Sequence, residues 1–230
     1  VLGHADVELD SDGVARRVFL YAGINAPAWP ALGLALTNPA AARALYQSFS
    51  PVETAQAGHW VRAQEALIPY AGESGSFRKL SYAQVLFDDE ALAGLRGKTV
   101  IVGMTATGMG ARFATPLSPL NHQPMTGVEW HANVFSMLNT GRVIYPVPEA
   151  ITTVISVLWV SVVLAIIAWS GKSFTVPPLL ALIAAAVFLT GLILEFYRIW
   201  IPPGAALLGT LSLYPLWNWR RINDFLRTFW

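Results

Sequence analysis

The 230-residue chain has no cysteine, a formal net charge of +1 and 54% hydrophobic residues. That excludes disulfides, thiolate metal sites and cysteine nucleophiles, and neither half is basic enough for nucleic-acid binding to be a main task. The charges are unevenly spread: residues 1–149 hold ten Lys/Arg and twelve Asp/Glu, the remainder five and two.

The chain opens on Val-Leu-Gly-His, without a basic segment followed by an apolar one. Its first residues already read as strand, so it is expected to begin inside a longer protein. Asp6 to Tyr21 predicts a β-hairpin turning at Asp10-Ser11-Asp12-Gly13, with Val7 and Leu9 alternating before the turn and Val18 and Leu20 after it. A helical segment is expected from Ala31 to Ser48, with a second helix starting near Asn38, where Pro39 suits the first turn. Residues 65–86 read as short strands and turns punctuated by Gly72 and Gly75.

Asp88 to Gly94 predicts a short helix, and Leu95-Arg96-Gly97 a turn. Thr99-Val100-Ile101-Val102-Gly103 is the clearest strand, and its continuous β-branched run predicts burial on both faces in a parallel or mixed sheet. Gly127 to Leu138 predicts a helix whose apolar side carries Val128, His131, Ala132, Phe135 and Leu138, with Gly141 as its natural end. Together these elements predict an α/β domain.

Three uncharged stretches follow: Ala150–Gly171 with 22 residues, Ser173–Leu194 with 22 and Ile199–Trp219 with 21. At 1.5 Å per helical residue each reaches about 30 Å, the thickness of a bilayer's hydrocarbon core. Three spans are therefore expected, at about 150–170, 175–194 and 200–218, behind a soluble domain at 1–147 and ahead of a linker at 220–230. Pro177-Pro178 and Pro202-Pro203-Gly204 fall at span starts, where a missing N–H costs least. Pro215 is expected to kink the third span. Arg220, Arg221 and Arg227 after that span, beside Trp217 and Trp219, predict a cytoplasmic C-terminus and hence an extracytoplasmic N-terminal domain. Beyond Arg220, Ile222, Phe225, Leu226 and Phe229 share one helical face. That face suits either a helix lying on lipid or a dimeric linker toward an output domain.

Little in the chain suggests catalysis. Asp88-Asp89-Glu90 suits a helix N-terminus without further function. His4, His59, His122 and His131 show no metal-ligand spacing, and His131 reads as a core histidine. Ser170-Gly171-Lys172-Ser173 has only the tail of a phosphate-binding loop. The glycine-rich run Gly103–Gly110 lacks dinucleotide-binding spacing and reads as a tight turn, though backbone N–H groups there suit an anion. Glu195 and Arg198 read as an interfacial ion pair.

Several separated motifs resemble one family. Leu95-Arg96-Gly97-Lys98-Thr99-Val100-Ile101-Val102-Gly103-Met104-Thr105-Ala106, then Phe113-Ala114-Thr115-Pro116-Leu117-Ser118, then Gly127-Val128-Glu129-Trp130-His131-Ala132-Asn133 is similar to the type-two CHASE domain, a cyclase- and histidine-kinase-associated sensory extracellular domain. The resemblance implies an extracytoplasmic α/β sensor between an N-terminal anchor and three spans, followed by a cytoplasmic output. Leu213 to Arg221 is similar to the end of the third span in histidine-kinase members, which makes that output the first expectation and a nucleotide cyclase or Ser/Thr kinase the alternative. It implies structural or sensory roles for Gly103, Thr105, Thr115, Pro116, Gly127, His131 and Asn133. Pro215, Trp217, Trp219, Arg220 and Arg221 would serve transmission.

Met104 stands where the family favours a small residue, and Ala111 near the place of a common acid. The expected partners are the lipid bilayer of a bacterial inner membrane, a second copy of the chain and an extracytoplasmic stimulus; no cofactor is expected. A transporter subunit is a poorer reading, because no span carries an ionisable residue. A membrane-bound enzyme is poorer still, because no nucleophile, base and orienting group occur together.

Overall fold

A computed structural model describes residues 2–40, 58–106, 108–121, 123–170 and 176–228. It divides into two units, Val1–Ile144 and Tyr145–Trp230.

The first unit is built on strand β1 (Arg17–Ile24), which pairs antiparallel with β2 (Trp29–Pro30) on one side and β3 (Trp60–Leu67) on the other. The β1–β3 register runs from Arg17 opposite Leu67 to Ile24 opposite Trp60. Val18, Leu20 and Ala22 alternate along β1 and are all buried, as the period of two requires for a sheet with one covered face. The other face is charged. Arg17 bridges Asp10 at 2.7 Å and Glu65 at 2.6 Å, and Arg62 bridges Asp6 at 2.6 Å and Glu8 at 2.8 Å. These pairs lay the segment 6–10 along the strands.

Helix α1 (Leu32–Thr37) follows β2. After β3 come two short helices, α2 (Tyr82–Phe87) and α3 (Asp89–Ala93). Ser81 caps α2 reciprocally with Gln84, and Asp88 caps α3 through the Ala91 N–H. Strand β4 (Arg112–Phe113), helix α4 (Ser118–Asn121) and strand β5 (Met125–Thr126) lead into α5 (Gly127–Asn139). Met125, Trp130, Val134 and Met137 join Val18, Leu20, Ala31, Ala66 and Ile68 in one core. Helix α1 packs directly on α5 at Gly33, where a Cβ would lie 2.9 Å from Val134 Cγ1. Helix α5 ends with Gly141 at φ +66°. The Gly141 N–H donates to Leu138 O and the Arg142 N–H to Met137 O, closing off the last carbonyls.

The second unit begins with β6 (Tyr145–Pro146) and contains α6 (Glu149–Ser170), α7 (Val176–Tyr197), β7 (Ile199–Trp200) and α8 (Gly204–Thr228). Helices α6 and α7 are each 22 residues long, with mean hydropathy 2.6 and 2.5, long and apolar enough to cross a membrane. Helix α8 lies against both. Val163 and Ile167 of α6 and Leu179 of α7 pack with Leu213, Tyr214 and Trp217 of α8. Strand β6 pairs in parallel with β7, so the chain approaches α6 and α8 side by side and in the same direction.

Several sequence expectations are corrected. The turn at Asp10–Gly13 forms, with the Gly13 N–H on Asp10 O at 2.8 Å and Gly13 at φ +77°. The residues before it form no ladder with those after it, because β1 takes β2 and β3 as its partners. The main sheet is antiparallel, not mixed. Thr99–Gly103 forms no ladder among the described residues and is not buried: Val102 is 90% exposed and Val100 50%. A β-branched run fits a pleated, covered surface but does not by itself specify a partner. The helix expected from Ala31 ends at its cap, Asn38, where the second was expected to begin. Helix α1 stops at Thr37, and the second helix expected near Asn38 lies mostly outside the described residues.

The face of α5 is also rotated from the expected one. Its buried residues are Glu129, Trp130, Asn133, Val134 and Met137, whereas Val128, His131, Ala132, Phe135 and Leu138 are only half-buried. Counting apolar positions could not include two buried polar side chains whose burial is offset by hydrogen bonds.

Candidate functional site

Two polar residues, four apart and so on one side of α5, hold the loop that follows β3. The Glu129 carboxyl is almost wholly buried. Its Oε1 accepts the Gly75 N–H at 2.6 Å and its Oε2 the Lys79 ammonium at 2.8 Å. Asn133, 1% exposed, accepts the Ala71 N–H at 2.9 Å on Oδ1. Its amide donates to Glu129 O at 3.0 Å and to the Met125 sulfur at 3.3 Å, so both ends of the side chain are used. The segment 71–79 is thereby fastened to the helix at three points, and a buried carboxylate keeps a cation and an amide as partners. Tyr70, one residue before the loop, donates its hydroxyl to Ala15 O at 2.7 Å, and burial pushes its pKa up.

The start of α5 is fixed by a second set of contacts. The Gly127 N–H donates to Ala111 O at 2.8 Å, and Gly103 lies against Val128. Gly103 and Ala111, on either side of the glycine-rich loop, therefore rest on the first turn of α5. Gly103 and Thr105 are exposed, and Thr105 O accepts from the Arg112 guanidinium at 3.0 Å. Met104 is 64% exposed, so its extra bulk enters no core.

Thr115 is buried and closes a turn with Ser118: the Thr115 N–H meets Ser118 Oγ at 2.8 Å, and the Ser118 N–H meets Thr115 O at 3.0 Å. Pro116, exposed, sits at the top of that turn. Ala114 O accepts the Ala15 N–H at 2.8 Å and ties the turn to the start of the sheet.

His131 stacks edge-on against Trp130, with ring centroids 4.9 Å apart, and burial pushes its pKa down to about 4. His4, itself held low first by burial, adds to that depression. The His4 ring accepts the Asp6 N–H on Nδ1 at 3.3 Å and packs edge-on against Trp60. Both imidazoles are neutral at pH 7. Among the described residues no group of three His, Asp or Glu side chains is arranged to hold a metal ion.

The structure thus places Gly103, Gly127, His131 and Asn133 on or against α5, and Thr115 and Pro116 in a separate turn. Glu129 and Lys79 were not picked out as site residues by sequence reasoning. The available signal was the carboxylate at i−4 from Asn133 inside the Gly127–Asn133 motif.

Of the residues assigned to transmission, Pro215 lies inside α8, Trp217 packs into the interhelical cluster and Trp219 is 76% exposed. Arg220 and Arg221 continue the helix, but their side chains lie outside the described residues. Glu195 and Arg198 approach to 4.0 Å and are both well exposed. Ser170 is the last described residue before the Gly-Lys-Ser segment.

No curated protein and no solved structure matches the chain. A family model for the CHASE2 domain matches residues 1–171, which takes in the first unit and all of α6. That match covers well over half of the sequence, so the chain belongs to the CHASE2 family of extracellular sensory domains.

Proposed function

We propose that this chain is the sensory and membrane-embedded part of a bacterial signalling receptor, most specifically of a histidine kinase. The observation that carries the reading is the family match together with the layout behind it: a mixed α/β unit joined to two helices apolar enough to span. Helix α8 is the third span in this proposal. Its N-terminal part is uncharged and packs on α6 and α7, and it continues without interruption to Thr228, past the arginines at 220 and 221.

In this arrangement the first unit faces away from the cytoplasm and α8 delivers the signal inward. The parallel pairing of β6 and β7 supports it, because α6 and α8 then start at one membrane face and α7 returns between them. Two copies associate, with the apolar stripe of Ile222, Phe225, Leu226 and Phe229 at the linker. The proposed roles of Gly103, Thr105, Thr115, Pro116, Gly127, His131 and Asn133 are to give the sensor its shape.

Because the chain has no cysteine, single cysteines report topology cleanly. Cysteine at Ser74 is expected to react with a membrane-impermeant maleimide in intact spheroplasts, and cysteine at Lys172 only after lysis. The opposite pattern overturns the orientation. For the output, the receptor with its native downstream sequence is expected to autophosphorylate from ATP on a residue whose phosphate is acid-labile and alkali-stable. An acid-stable phosphate, or cyclic nucleotide production, overturns the histidine-kinase assignment.

A further inference from the structure

The four residues that lead into α6 are held at both ends. Ile144 O accepts the N–H of Leu67, the last residue of β3, at 2.8 Å. Immediately afterwards the Tyr145 N–H donates to Arg198 O at 2.9 Å and the Val147 N–H to Trp200 O at 3.0 Å. One short segment is therefore bonded to the sensory sheet on its upstream side and to the α7–α8 connection on its downstream side.

The local chemistry is arranged to make this pairing stiff. Pro146 occupies the one position between two donating residues, so its missing N–H removes no bond, and its ring fixes an extended backbone. Only Val147 and Pro148 separate β6 from α6, and only Ile201, Pro202 and Pro203 separate β7 from α8. Three of those five residues are prolines, which leaves little slack on either side.

On the opposite strand, Arg198 adopts φ +56°, a left-handed conformation that costs energy for any residue with a Cβ. Its N–H closes α7 onto Leu194 O at 3.0 Å while its carbonyl receives Tyr145. A strained non-glycine residue persists where surrounding bonds over-determine it.

We infer that the β6–β7 pairing is a coupling clip, through which a displacement at the end of the sensory sheet moves the starts of α6 and α8 together. The inference rests on the receptor reading but concerns a different link. Without the clip, a pull on residue 144 reaches α6 alone. With it, the pull reaches the helix that runs on to Thr228 as well. The clip is a pairing only two residues long on each strand, short enough to open and close reversibly.

The test uses the full chain in lipid nanodiscs with spin labels on cysteines at Ile151 of α6 and Leu208 of α8, both outward-facing. Val147→Pro and Tyr145→Pro each remove one donor on the β6 side of the clip, and Pro146→Ala removes neither. The parent and Pro146→Ala are expected to give one narrow distance distribution. Val147→Pro is expected to broaden it or shift its mean by about 3 Å, half a helical turn, and Tyr145→Pro serves if Val147→Pro does not insert. A distribution unchanged in both proline variants overturns the clip. Maleimide labelling at position 74 in spheroplasts reads the receptor topology separately, so failure of one reading is distinguishable from failure of the other.

Discussion

Glu129 and Asn133 show what single residues contribute. Each is a polar group taken out of water and compensated by backbone N–H donors from a loop about 60 residues away along the chain. Truncating either orphans donors inside the fold. Glu129→Ala is expected to cost about 2–4 kcal/mol and Asn133→Ala about 1–3 kcal/mol. Denaturant titration of the detergent-solubilised chain, followed by tryptophan fluorescence, to which the buried Trp130 contributes, measures both losses. Lys79→Met is expected to be the gentler change, because Glu129 keeps the Gly75 N–H; equal losses at all three positions contradict the assignment.

The histidines set a pH window. His131 titrates near 6.5 when exposed and is held down to about 4 here, first by burial and then by His4. Between those values the unfolded chain binds a proton that the folded chain refuses. Stability therefore falls as pH drops from 6.5 to 4 and levels off below, by up to about 3 kcal/mol for this ring. His4, lowered in the same sense, adds to the loss. Only at lower pH do the carboxylates contribute: Asp6, depressed first by its bond to Arg62, and Asp12, brought down to about 2 by Arg16. Denaturation midpoints compared at pH 7.5 and 5 are expected to fall for the parent and to fall less for His131→Gln. The sequence showed that His131 lies toward one side of a helix, but the depth of its burial comes from residues far along the chain.

At the scale of elements, interhelical packing in the second unit turns on close approach. A Cβ on Gly209 of α8 would come within 2.6 Å of Val160 Cγ2 on α6, whereas a Cβ on Gly191 of α7 meets nothing within 4 Å. Gly209→Ala is expected to destabilise the pair by about 1–3 kcal/mol, and Gly191→Ala to be neutral or slightly stabilising. Unfolding in mixed micelles at rising SDS fraction distinguishes the two.

The elements themselves were unevenly legible. α5, its Gly141 terminus and the two long apolar helices follow from periodicity, capping and length, all of which are local properties. Thr99–Gly103 did not, because a strand exists only with a partner and pairing is a long-range event. The buried face of α5 was missed for a related reason: Glu129 and Asn133 look like solvent-facing residues until the loop 71–79 is placed over them.

For the whole molecule, the two units differ in the surface they present. In the most apolar 18-residue stretches of α6 and α7 only 17% and 11% is buried, and Trp169 and Phe188 are 93% and 66% exposed. An apolar surface of that extent suits lipid or a covering partner, and the proposed function assigns it to lipid. The purified chain is therefore expected to be monodisperse in detergent or nanodiscs and to aggregate in plain buffer, as size-exclusion chromatography with light scattering would show. Stability as a single species without detergent contradicts the membrane assignment.

By itself the sequence determined the division into a charged α/β part and an apolar helical part, because burial in water and burial in lipid demand different compositions of a single continuous segment. It also carried enough spaced motif to reach the family. The tertiary structure alone decided which strands pair, which face of α5 is inward, what Glu129 and Asn133 hold, and that β6 joins β7. Each of those depends on groups brought together from distant positions, and a hydrogen bond across such a gap leaves no period in the sequence.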